Sequence, residues 1–157
     1  MPNHKKNAHK RRGFTLIEIV LAMTVLALLG SLVLPVYQGY VAKGRIESAT
    51  RDIHRIASVL DRHYREGHPP VTLADVGLDF SDPWGNPYRY LWLRGNPSIS
   101  VSGSCRRDES MNPINSDYDL YSMGPDGATT LQLGTVEARD DIIRARNGDF
   151  VGFATER

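Results

Sequence analysis

The chain has 157 residues, 41% of them hydrophobic and 24% charged, enough for one domain with a modest core and short of room for a second. Its 19 Lys and Arg stand against 18 Asp and Glu, but Lys5, Lys6, Lys10, Arg11 and Arg12 all precede residue 13, so the remainder holds 14 basic residues against 18 acids, about −4. That balance argues against nucleic acid as the main partner of the folded part, and the lone Cys105 excludes an intramolecular disulfide and a cysteine-based zinc cluster.

Residues 14–34, FTLIEIVLAMTVLALLGSLVL, form a 21-residue apolar stretch whose only ionisable member is Glu18. As a helix it would span about 32 Å, enough to cross a bilayer core. A cleavable secretory signal has a shorter apolar region and a small-x-small site, so this segment is expected to be retained. The basic cluster before it predicts a cytoplasmic N-terminus and a single span with the C-terminus outside.

Beyond Pro35 the helical pattern continues. Ile46, Ala49, Ile53, Ile56, Leu60 and Tyr64 recur at spacings of three and four, which predicts an amphipathic continuation over 35–67 ending near Gly67. Residues 68–157 carry turn signals (HPP, DPWGNP, RGNP, GPDG) between short β-like runs. Tyr88, Tyr90 and Trp92 alternate with Arg89, Leu91 and Leu93, and 98–102 and 118–122 are further strand candidates. The simplest architecture is α+β: one long helix covered along its lower half by a small antiparallel sheet. The five histidines, His4, His9, His54, His63 and His68, have no paired metal spacing.

The order of features at the start of the chain carries a resemblance. A basic leader over 1–13 ends in RRG, FTLIE follows with Glu18 inside the apolar run, and proline stands at position 35. This resembles the signal of type IV pilins and pseudopilins. The resemblance implies a type IV pilin-like fold, cleavage by a prepilin peptidase between Gly13 and Phe14, and methylation of the new Phe14 amine. Glu18 has a physical reason of its own. A carboxylate in a lipid-facing helix costs roughly 2.5 to 3.5 kcal/mol on insertion scales and needs a partner. The freed Phe14 amine of an axially shifted neighbour would supply one, which makes Glu18 an assembly residue. The competing reading is that Glu18 only reaches the headgroups.

A second resemblance covers SDPWGNPYRY, DYDLYSMGPDG and RDDII, which in this order are similar to the major pseudopilin of type II secretion, pseudopilin G. In that family a structural calcium sits in the loop corresponding to 117–141. Carried over by position, Asp126, Asp140 and Asp141 are the expected side-chain ligands, with the carbonyls of Leu120 and Met123 as additions. The loop lacks EF-hand spacing, and the alternative is a solvated acidic turn with Asp140 capping a short helix. The stretch ATTLQLGTVEAR and the tail IRARNGDFVGFATER depart from the family pattern.

The function implied is that of a structural subunit of the type II secretion pseudopilus in the bacterial inner membrane, with a periplasmic C-terminal part. The partners implied are copies of itself, other pseudopilins, the prepilin peptidase, and the inner-membrane assembly platform with its ATPase. The alternative is a type IV pilin for adhesion, twitching or DNA uptake, although such pilins usually close a C-terminal loop with two cysteines. No nucleophile–base pair, metal motif or phosphate loop in the sequence points to an enzyme.

Overall fold

A computed structural model of the chain describes residues 13–96 and 101–157. It contains one long helix, α1 (Leu16–Arg65), and four strands, β1 (Arg89–Trp92), β2 (Tyr118–Ser122), β3 (Ile142–Ala145) and β4 (Phe150–Phe153). A single helical turn, α2 (Val101–Ser104), lies between β1 and β2. The strands form an antiparallel meander in the order β1-β2-β3-β4. The chain divides into two compact units, one ending at Val41 and the other running from Ala42 to Arg157.

In the second unit, α1 folds as its sequence pattern requires. Ala49, Ile53, Ile56 and Leu60 are fully buried on one stripe, with Ile46, Val59 and Tyr64 packed beside them. Full burial of each large aliphatic side chain contributes about 1.5–3 kcal/mol, so this stripe dominates the attachment of the helix. The helix stops in a Schellman-type end. Gly67 has φ +78, its N–H donates to the Tyr64 carbonyl, and the His68 N–H reaches back to the His63 carbonyl. Arg62, His63 and Arg65 in the last turn suit the negative end of the helix dipole.

The stripe packs on the sheet face presented by Tyr118 and Leu120 of β2 and Ile142 of β3. Three tyrosine hydroxyls tie the two layers together. Tyr88 donates to Asp52 (3.0 Å), Tyr118 to Asp61 (2.6 Å), and Tyr64 to the Asp117 carbonyl (3.1 Å). Because side chains alternate along a strand, Tyr121, Ile143 and Ala145 face the other way and make a second cluster with Leu133 and Ala154.

The expected α+β fold is present, with β1 and β2 where the alternation placed them. Of the strand expected over 98–102, the described part, 101–102, is not a strand. Residues 98–100 lie outside the described residues, and from Val101 the backbone is helical. Strands β3 and β4 arise from the tail segment IIRARNGDFVGF, and their hairpin turns at Asn147 (φ 56°) and Gly148 (φ 104°), the left-handed Asn-Gly pair that favours tight hairpins.

Candidate functional site: the start of the membrane helix and the acidic loop

Gly13 and Phe14 lie just outside α1 in non-helical backbone, and Phe14 is 82% exposed. The leader expected over 1–12 lies outside the described residues. Helix α1 opens on a reciprocal cap. The Thr15 N–H and hydroxyl both donate to Glu18 Oε2 (3.2 Å each), and the Glu18 N–H donates to Thr15 Oγ1 (3.3 Å). Thr15-Leu16-Ile17-Glu18 is therefore a capping box, the Thr/Ser-x-x-Glu pattern that satisfies donors orphaned at a helix start. The carboxylate also stands at the positive end of the helix dipole. Glu18 thus has a partner inside its own chain, a role that the motif reading does not anticipate although the spacing is visible in the sequence.

From Leu16 to Tyr40 the large apolar side chains are exposed. Among the described residues α1 is the one helix long and apolar enough to cross a membrane, and none of its apolar span is buried within the chain. An exposed apolar surface of this extent is a surface made to be covered. With the motif that precedes it, it marks a protein anchored by a single membrane segment.

The second candidate region joins two turns. In the first, Asp82 Oδ1 accepts from the N–H groups of Trp84 and Asn86, and Trp84 and Tyr88 pack on the core. The Asn86 amide donates to the Gly124 carbonyl (3.0 Å), and Ser122 Oγ donates to Asp82 Oδ2 (2.5 Å), so the Asp-Pro-Trp-Gly-Asn-Pro turn is bolted to the Gly-Pro-Asp-Gly turn. Gly124 is required there. Its φ is +64°, and a Cβ would stand 2.3 Å from the Asp140 carbonyl oxygen and 2.8 Å from Asp140 Oδ2.

Of the three expected calcium ligands, Asp126 and Asp140 meet through a backbone N–H, but their carboxylates and that of Asp141 do not converge as one group. The Asp126 N–H donates to Asp140 Oδ2 (3.3 Å), while Asp126 Oδ1 accepts from the Ala128 N–H (2.8 Å). Asp141 is fully buried and turns to Arg106, whose Nη2 lies 2.5 Å from Asp141 Oδ2. Thr129 Oγ1 completes a triangle, accepting from Arg106 Nη1 and donating to Asp141 Oδ2 (2.6 Å each). Burial pushes the Asp141 carboxyl up, and the Arg106 charge and the Thr129 hydroxyl oppose it. Leu120 sits in the strand ladder opposite Tyr90, and Met123 is buried directly after β2. Among the described residues no three His, Cys, Asp or Glu side chains are grouped to hold a metal.

The residues present therefore do not fit the ligand set carried over from the family, because a protein cation already neutralises its most buried member. Nor does Asp140 cap a helix. It receives the Asp126 N–H, and the short 3₁₀ turn Val136–Ala138 has Thr135 at its N-cap with no side-chain cap bond.

The sequence reading misses Arg106 because CRRD looks like a solvated charge run. In the fold its backbone N–H donates to Asp119 Oδ2 (2.7 Å), and its guanidinium carbon lies 4.1 Å from the centre of the Tyr121 ring. Asp119 is itself buried and held by Asn115, and desolvation pushes its carboxyl up while the Arg106 N–H and the Asn115 amide oppose the shift. A second buried arginine, Arg144, makes a two-pronged pair with Asp117 (2.9 and 2.7 Å) and stacks 3.9 Å from the Tyr118 ring centre.

Comparison with known proteins agrees with both halves of the chain. Residues 8–34 match the prokaryotic N-terminal methylation motif. The type II secretion system core protein G of Escherichia coli K12 is 28% identical over 156 residues, covering 85% of this chain and 90% of the relative. The core protein G of Aeromonas hydrophila is 31% identical over 108 residues, covering 52% of this chain and 75% of the relative. A type IV major alpha-pilin of Moraxella bovis is 30% identical over 100 residues, covering 59% of this chain and 60% of the pilin. No solved structure gives a significant match. With an exposed apolar helix behind a methylation motif and a four-stranded meander on the helix's lower half, the chain belongs to the type II secretion core protein G family of type IV pilin-like proteins.

Proposed function

We propose that the chain is a structural subunit of a type II secretion pseudopilus, whose chemistry is assembly rather than catalysis. The observation that supports this most directly is the unpartnered apolar surface of α1 from Leu16 to Tyr40, adjoining a matched methylation motif and the similarity to core protein G relatives. Lipid covers that surface before assembly, and neighbouring helices cover it afterwards. Cleavage falls between Gly13 and Phe14, in backbone outside the helix, and a Cβ at Gly13 would meet nothing within 4 Å in this chain, so the requirement for glycine lies with the peptidase rather than the fold. The freed amine of Phe14 pairs with Glu18 of a neighbouring subunit.

By the positive-inside rule the leader is cytoplasmic and the sheet lies on the periplasmic side of the inner membrane. In that orientation other pseudopilins extend the filament, and an inner-membrane platform with its ATPase drives it from below. The test is the mass of the protein extracted from membranes. A mature chain beginning at monomethylated Phe14 is the expected result, and Gly13→Leu should accumulate as uncut precursor. A chain retaining Lys10 to Gly13, or one cut beyond the apolar run, would overturn the reading. Deletion of the gene should leave folded exoproteins in the periplasm while twitching is unaffected. Loss of twitching with normal secretion would favour the pilin reading instead, although a single buried cysteine leaves no pair to close a pilin-type loop.

A further inference from the structure

The acidic segment between Gly124 and Asp141 is held by a guanidinium. Arg106 is 1% exposed, and it gathers three separate stretches of chain. Its backbone N–H binds Asp119 of β2, its side chain stacks on Tyr121, and its two Nη groups reach Thr129 and Asp141. The remaining unpaired atoms tell the same story. Asp141 Oδ1 and Arg106 Nε are both buried without a hydrogen-bond partner, one an acceptor and the other a donor, at the two sides of one ion pair. Arginine and carboxylate prefer a two-pronged fork, so the N–H suited to the free lone pair on Asp141 belongs to the arginine already paired with it. A divalent ion drawn to that oxygen would instead sit against a buried positive charge. The other two carboxylates are engaged as well, Asp140 by the Asp126 N–H and Asp126 by the Ala128 N–H.

We propose that Arg106 is the resident cation of this loop, taking the structural place of a metal, so that the segment from Gly124 to Asp141 orders without calcium. A guanidinium supplied by the chain is always charged and cannot dissociate, so the fold becomes indifferent to external calcium. The same atoms predict what removing the guanidinium does. Arg106→Gln leaves Asp141 buried without its cation, next to Asp140, which recreates a demand for one.

The experiment uses the full chain in detergent micelles, with thermal unfolding followed by circular dichroism in about 1 mM calcium, the weak extracellular range, or in chelator. The wild-type midpoint should be the same in both, and equilibrium dialysis with radioactive calcium should show no saturable binding. Arg106→Gln should melt lower in chelator and recover part of the loss in calcium. A wild-type midpoint that rises by about 5 °C in calcium and not in magnesium, as a site filled about tenfold above its dissociation constant would give, overturns the proposal. So does one calcium bound per chain. An Arg106→Gln variant as stable as wild type in chelator overturns it too. If that variant does not fold, the wild-type titration and dialysis decide alone.

Discussion

The capping box at Thr15 and Glu18 allows two roles of one carboxylate to be separated. In the isolated chain Glu18 accepts from the Thr15 N–H and hydroxyl at 3.2 Å, a helix-start interaction worth about 0.5–2 kcal/mol. In the filament proposed above, the same carboxylate would face the Phe14 amine of a neighbour. Opposite unit charges about 4 Å apart at an effective dielectric of about 20 attract by about 4 kcal/mol, and losing that from every interface weakens association about a thousandfold. Glutamine at this position still satisfies a capping box but carries no charge.

Glu18→Gln should therefore keep the first turn of α1 and lose assembly as completely as Glu18→Ala. Thr15→Val, which removes the hydroxyl and leaves the charge, should still assemble. Neither Glu18 variant should insert less well than wild type, because each removes a carboxylate from lipid. The assay is the yield of filaments sheared from overproducing cells, with mass spectrometry confirming that each variant is cut after Gly13. Filaments from Glu18→Gln at wild-type yield, with none from Thr15→Val, would refute the charge argument and leave helix capping as the reason for the residue.

Two other features of the soluble part make further predictions. Arg144 is buried between Asp117, Tyr118 and Asp61, so Arg144→Ala strands Asp117 without its cation and should cost about 3–5 kcal/mol in denaturant unfolding, whereas the double change Arg144→Met with Asp117→Asn should recover much of that. The phenols of Tyr64, Tyr88 and Tyr118 are pushed up by burial, and that of Tyr90 is pushed up to about 12 by the same cause. A folded-state value above the unfolded one means that this stability is fully present below pH about 10 and lost as pH rises beyond it. Absorbance at the phenolate band and far-ultraviolet circular dichroism, followed together in an alkaline titration, should show these tyrosines ionising only as the sheet melts.

The elements legible in the sequence are those whose pattern is local. The stripe from Ala49 to Leu60 follows helical spacing without interruption, and Tyr88 to Leu93 alternate as a half-buried strand does. Strand β3 hides because all four of its residues are buried and one is Arg144, so neither alternation nor an apolar run marks it. Its hairpin partner is signposted only by Asn147-Gly148, which with Arg146 supply the positive-φ backbone of the turn. The acidic loop misleads for a different reason. Asp126, Asp140 and Asp141 are near one another in sequence, but the charge that answers Asp141 comes from Arg106, 35 positions earlier and brought in by folding alone. Local carboxylate density reveals a need for a cation without saying where the cation comes from.

The tyrosine hydroxyl contacts hold the lower half of α1 at two places, one at Asp52, which meets Tyr88, and one at Asp61 and Tyr64, which lie within one turn of each other and meet the adjacent residues Tyr118 and Asp117. A filament that is pushed or drawn along its helices loads this seam lengthwise. Contacts spaced along the direction of load share it and must yield together, whereas contacts at one end would open in succession like a zip. Sliding the helix by one turn would also unseat Ile53, Ile56 and Leu60 at the same moment as all three hydroxyls. The joint is thus stiff in shear and comparatively easy to peel, which suits a subunit that must transmit thrust along its axis yet be put in place one at a time.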